Sequence, residues 1–112
     1  MRELTLTTTP VTIKVNEKEY ECKMSDVQVM AIAYRMQLKY QALLLHDVPN
    51  VEDVIAVAEE TVEYIDKILG RGATAEIANG NPVSANDSMR WLTAIASAVA
   101  AAYGDALVEK YA

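Results

Sequence analysis

A chain of 112 residues supports one hydrophobic core, so we expect a single domain over residues 1–112. The hydrophobic share of 52% and the charged share of 23% are those of an ordinary globular protein, which argues against disorder. The net charge of −6 disfavours a nucleic-acid partner, because phosphate backbones attract clustered lysine and arginine.

Residues 1–24 carry the pattern of a β-hairpin. Apolar residues alternate on either side of a short polar turn over residues 16–19, with Val11, Ile13 and Val15 before it and Tyr20, Cys22 and Met24 after it. Residues 4–7 alternate in the same way and form a candidate third edge strand. A lone hairpin is barely stable in water, so we expect its apolar face to pack on helices.

Residues 25–112 carry the pattern of helices, and the first is predicted to start after Ser25. Gln28 completes a capping box with this serine, and Pro49 ends the helix by disfavouring helical angles at the residue before it. The apolar stripe predicted to face the core comprises Val27, Met30, Ala31, Tyr34, Leu38 and Leu45, interrupted by Gln41.

Two more long helices and one short helix follow. Asn50 caps the second helix, whose predicted stripe is Val51, Val54, Ile55, Ala58, Val62, Ile65 and Leu69. Gly70 and Gly72 end it, and residues 74–78 form a short helical turn. Ser84 caps the last helix, whose predicted stripe is Met89, Leu92, Ile95, Ala96, Val99, Tyr103 and Ala106. The predicted fold is therefore α+β and mainly α, with the hairpin packed on three main helices.

No residue pattern indicates catalysis, a metal or a cofactor. Glu59, Glu63 and Asp66 share a helix face, but hard cations need several convergent oxygens, usually from a tight loop. Between Glu52 and Lys67 six acids meet one base, a local charge of −5, which indicates a solvated face. A Cys22–His46 nucleophile pair conflicts with the expected place of Cys22 on the apolar face of a strand. We therefore expect a protein that is not an enzyme.

A cytoplasmic protein is expected, with no membrane partner. Cys22 is the only cysteine, which precludes an internal disulfide and favours a reducing compartment. Residues 1–10 lack the apolar core of a signal peptide. The longest uncharged apolar run, over residues 91–104, is shorter than the ~20 residues needed to cross a bilayer.

Aromatic and leucine side chains near the end of the first helix are the candidates for binding another protein. Three consecutive leucines on a helix point in three directions, so Tyr40, Leu43 and Leu44 are hard to bury together. We therefore predict that these three residues contribute to a partner or self-association surface. Trp91 is expected to pack in the core.

The whole layout resembles the small tail assembly chaperones of bacteriophages and prophages of Gram-positive bacteria. The resemblance rests on the hairpin VTIKVNEKEYECKMSD, the acidic helix ending in YIDKILGRGA, an Asn-Pro turn and a C-terminal helix. It implies that the chain binds the tape-measure protein and keeps it soluble until tail-tube subunits polymerise around it. It also implies a role that depends on surfaces and oligomerisation, with no site residues carried over.

Two other classes of function stay open at this point. One is a different phage structural component, such as a ring-forming connector or tail-associated protein. The other is an acidic adaptor or inhibitor of a basic host protein, whose binding would be strongly salt-sensitive.

Overall fold

The computed structural model describes the backbone of residues 2–111 and the side chains of residues 2–106. Two strands precede four helices in the predicted order: β1 (Thr12–Val15), β2 (Lys18–Glu21), α1 (Asp26–Leu44), α2 (Val51–Leu69), α3 (Ala73–Ala78) and α4 (Ala85–Tyr111). The fold is therefore α+β and mainly α, as predicted.

The two strands form an antiparallel hairpin in which Ile13 lies opposite Tyr20. The turn between them is shorter than predicted, because only Asn16 and Glu17 separate the strands. Both have positive φ, 50° and 70°, the arrangement of a type I′ turn. Within residues 2–111 the sheet has two strands, and residues 4–7 form no third one. Leu4 and Leu6 are exposed, so the alternation there covers no core.

Side chains of the hairpin anchor it to the helices. Ile13 and Tyr20 are buried in the same core as the helix residues. The Tyr20 hydroxyl donates a hydrogen bond to Glu76 Oε2 of α3 at 2.9 Å, and Lys18 Nζ donates to the same oxygen. The backbone N–H of Lys23 donates to the Ile68 carbonyl at 2.8 Å. The hairpin is thus tied to α3 and to the end of α2.

The predicted helix caps are confirmed. Ser25 and Gln28 form the capping box of α1, and the Asn50 side chain accepts a hydrogen bond from the Glu52 N–H. Ser84 Oγ accepts from the Asp87 N–H at 2.9 Å. Gly70 has a φ of 117°, which suits glycine at the end of α2.

Helix α4 packs against both α1 and α2 and completes the core. It runs antiparallel to α1, since Gln37 contacts Thr93 while the Tyr103 hydroxyl donates to the Met24 carbonyl. The fully buried side chains come from all three helices: Val29, Met36, Thr61, Ile65, Ile68, Ser88, Leu92 and Val99. Each large apolar side chain among them stabilises the fold by roughly 1.5–3 kcal/mol through burial.

The predicted core face of α1 is wrong, because that stripe points to solvent. The helix instead buries Val29, Ile32, Ala33 and Met36. Residues on this face also recur at helical spacing, so α1 carries two apolar stripes on opposite sides. The prediction from periodicity chose the stripe that contains Val27 and Tyr34. The stripe that is buried in the core is the one that contains Val29 and Met36.

The prediction for α2 is partly wrong, whereas that for α4 is largely confirmed. Ile65 and Leu69 are buried as predicted, but Val51 and Ile55 are exposed and Thr61 is fully buried. A buried threonine is tolerated here because its hydroxyl donates to the Val57 carbonyl at 2.7 Å. In α4 the buried apolar residues are Met89, Leu92, Ile95, Ala96 and Val99, all from the predicted stripe.

Candidate protein-binding surface

An apolar stripe runs along the solvent side of α1. It comprises Val27, Met30, Tyr34, Leu38 and Leu45, and we call it the outer stripe. Val27 is 73% exposed, Tyr34 66% and Leu45 86%, values far above those of core residues. These residues recur at helical spacing along the whole helix. The outer stripe therefore has the pattern of a helix-packing face, but no helix covers it in the part of the chain that the structure describes.

A second exposed apolar cluster lies where α1 turns into α2. It comprises Leu44, Val48, Val51 and Ile55, and we call it the helical tip. Val48 is 86% exposed and Val51 70%. Leu45 precedes this connection, so the outer stripe and the helical tip meet there. Contiguous exposed apolar surface of this kind marks interaction sites in soluble proteins.

The position of α4 explains why the helical tip is uncovered. Thr61 of α2 contacts Met89 of α4 at 3.6 Å. Helix α2 begins ten residues before this contact, whereas α4 begins only four residues before it. At 1.5 Å per residue, α2 therefore extends about 9 Å past the start of α4. The first six residues of α2, residues 51–56, are accordingly exposed or half-buried.

The three residues predicted to bind a partner are divided between core and surface. Tyr40 and Leu43 are half-buried and pack against the core, on the same side of α1 as Met36. Leu44 is 57% exposed and belongs to the helical tip. The outer stripe lies on the opposite face of α1, and sequence reasoning assigned it to the core instead.

The three carboxylates considered as metal ligands have separate surroundings. Glu59 and Glu63 are exposed on α2. Asp66 is half-buried, and its Oδ1 accepts a hydrogen bond from the Thr74 N–H of α3 at 2.8 Å. This contact satisfies one of the amides at the start of α3, whose cap residue Gly72 has no side chain. In the part of the chain with described side chains, no group of three or more His, Cys, Asp or Glu could hold a metal ion.

Cys22 and His46 lie at opposite ends of α1. Lys23, next to Cys22, contacts the end of α2, whereas His46 is exposed in the connection from α1 to α2. A 19-residue helix separates them, which corresponds to about 28 Å. Burial raises the pKa of the Cys22 thiol, with a smaller contribution from Glu21. The structure therefore does not bring together the nucleophile–base pair that the sequence analysis argued against.

An apolar groove, separate from the outer stripe and the helical tip, lies between the hairpin and α4. Its volume is about 390 Å³, and its lining includes Val15, Ile77 and Trp91. Trp91 is half-buried and packs against the core, as expected. Its indole also makes Trp91 a natural reporter for how the hairpin packs on α4.

Comparison with protein-family models, with curated proteins and with solved structures finds no match to this chain. Within the described residues, none of the helices combines the length and the apolar character needed to span a membrane. The surface itself is thus the main guide to function. It offers apolar side chains in two adjoining clusters and exposed carboxylates on α2.

Proposed function

We propose that this chain is a phage tail assembly chaperone-like protein that acts in the cytoplasm of the host cell. It binds the tape-measure protein through the outer stripe and keeps it soluble during tail morphogenesis. The single observation that supports this most is the exposure of a helix-length apolar stripe on α1. The resemblance of the sequence layout to tail assembly chaperones supplies the identity of the client.

The outer stripe suits a long helical client for a physical reason. An apolar stripe on one helix buries its side chains best against the apolar face of another helix. Charged residues flank the stripe, since Arg35 and Lys39 of α1 are exposed beside it and Lys39 Nζ lies 3.0 Å from Glu60 Oε2. These charges keep the free protein hydrated while the stripe binds its client.

Co-expression with the tape-measure protein of the same genome tests this function. We expect the wild-type chain to keep the client in the soluble fraction and to co-purify with it. A Tyr34→Glu, Leu38→Glu double variant should lose most of this effect, because it places two charges in the middle of the outer stripe. Circular dichroism of the purified variant checks that its helices remain.

The matched control places the same two charges on exposed residues of another helix. An Ala98→Glu, Ala101→Glu double variant on α4 should leave client solubility unchanged, because both residues are exposed outside the outer stripe. If the folded outer-stripe variant protects the client as well as the wild type does, binding through the outer stripe is refuted.

A further inference from the structure

The negative charge of the chain is concentrated in the stretch that contains the helical tip and most of α2. Between Tyr40 and Asp66 there are seven acids and no lysine or arginine, which gives −7. Residues 1–39 have six bases and five acids, a charge of +1, and residues 67–112 have four of each. The stretch from the end of α1 through most of α2 therefore accounts for the negative net charge of the chain, with Asp47, Glu52 and Asp53 at the helical tip.

Carboxylates and apolar side chains alternate on the exposed surface of this region. Ile55 lies one helical turn from both Glu52 and Glu59, and all three are exposed. Asp47 lies next to the exposed Val48 in the connection. Apolar anchors and acids thus lie within one side-chain length of each other.

We propose that the helical tip binds a basic amphipathic helix of another protein. The apolar face of that helix packs on Val48, Val51 and Ile55, while its flanking lysines and arginines pair with Glu52 and Glu59. Long basic side chains suit this role because their stems cover apolar surface while their charged ends reach the carboxylates. This proposal rests on the proposed function, and it specifies the chemistry of the client segment.

A second copy of this chain fits the helical tip less well than a basic partner. Two tips facing each other would bring Asp47, Glu52, Asp53 and Glu59 of one copy against the same carboxylates of the other, which opposes association. The remaining parts of the chain carry +1 and 0, so a copy has no strongly basic region to offer in exchange. Charge complementarity therefore selects a partner of opposite charge.

Two synthetic peptides test the proposal with the full-length chain. Both are about 18 residues long, with leucines at helical spacing, and they differ only in carrying lysine or glutamate beside the leucines. We expect the lysine peptide to bind, with an affinity that falls as salt rises, and the glutamate peptide to bind at least about tenfold more weakly. Equal binding of the two peptides would overturn the proposal.

Variants locate the binding on the molecule. A Glu52→Gln, Glu59→Gln chain should bind the lysine peptide several-fold more weakly, whereas the charge-matched control Glu3→Gln, Glu19→Gln should bind it like the wild type. Ile55→Ser should also weaken binding, and the control Leu6→Ser, at another exposed apolar residue, should not. If the tip variants and their controls lose affinity equally, the helical tip is not the site.

The outcomes separate this proposal from the proposed function. If the tip variants still hold the tape-measure protein in solution and bind the lysine peptide normally, the helical tip is refuted while the chaperone function stands. If the wild-type chain binds the lysine peptide at the tip but leaves the tape-measure protein insoluble, the chaperone function fails and the tip remains a binding site. A second copy as occupant would appear as a dimer that the tip variants dissociate.

Discussion

At the scale of single residues, Glu17 occupies a backbone conformation that disfavours its side chain. It has a φ of 70° in the two-residue turn, next to Asn16 at 50°. Asparagine tolerates left-handed angles, whereas a residue with a longer side chain is strained there. Asn-Gly is the preferred sequence for this turn, so the chain departs from it at one position.

We predict that Glu17→Gly raises the free energy of unfolding by about 1 kcal/mol. The glycine removes the left-handed strain, and this gain exceeds its larger entropy in the unfolded chain. Denaturant unfolding followed by Trp91 fluorescence and circular dichroism measures the change. Lys18→Gly is the control, because Lys18 is a strand residue bonded to Glu76, and it should lower stability. An unchanged or lower stability for Glu17→Gly would contradict the turn geometry.

At the scale of secondary-structure elements, a charged contact joins the hairpin to α3 through Lys18, Tyr20 and Glu76. Hydrogen bonds from Lys18 and then Tyr20 hold the pKa of the Glu76 carboxyl below its ordinary value of 4.5. The folded chain therefore binds this proton less readily than the unfolded chain does. The resulting stability is present above about pH 4.5 and is lost as the pH falls through the lower folded-state pKa.

We predict that Glu76→Gln is less stable than the wild type at neutral pH and that the difference shrinks below about pH 4. Glutamine cannot attract Lys18 as a carboxylate does, and the wild-type carboxylate itself becomes protonated in acid. Urea unfolding at several pH values measures both proteins. Glu63→Gln, at an exposed residue of α2, controls for the loss of one negative charge. A difference that stays constant with pH would rule out this role for Glu76.

The two apolar faces of α1 explain why its orientation could not be predicted from sequence. Both faces carry large side chains at helical spacing, so the periodicity of α1 alone is consistent with either face packing in the core. The core decides between the two faces, because the single apolar stripe of α4 packs in one cluster with Met36, Val29 and residues of α2. By contrast, a helix cap depends on hydrogen bonds between residues close in sequence. The sequence therefore sufficed to predict the three caps Ser25, Asn50 and Ser84.

We predict that a glutamate destabilises the fold strongly on one face of α1 and only slightly on the other. Met36→Glu should unfold the chain or destabilise it by at least about 3 kcal/mol, because Met36 is fully buried and the carboxylate would be unpaired. Leu38→Glu should change stability by less than about 1 kcal/mol, since Leu38 belongs to the outer stripe. Thermal unfolding by circular dichroism compares the two. Comparable losses would show that both faces of α1 are packed.

At the scale of the whole molecule, the candidate surface depends on how far each helix extends. Sequence patterns predicted the number and order of the helices, because caps and glycines mark their ends. They could not predict that α2 extends past α4, since this offset depends on which residues meet in the core, such as Thr61 and Met89. The exposure of Val51 and Ile55 follows from the offset, so this part of the helical tip was visible only in three dimensions, whereas Leu44 was predicted from the sequence.

The same offset predicts uneven protection along α2 in hydrogen exchange. Amides of residues 55 and 56 should exchange at least about tenfold faster than those of residues 65–69, because Ile55 and Ala56 are exposed whereas Ile65, Ile68 and Leu69 are buried. Exchange measured by nuclear magnetic resonance compares both segments within one helix, so the later segment is the internal reference. The lysine peptide should slow exchange at residues 55 and 56 and leave residues 65–69 unchanged. Equal protection of the two segments in the free chain would mean that the first turns of α2 are as well covered as the rest.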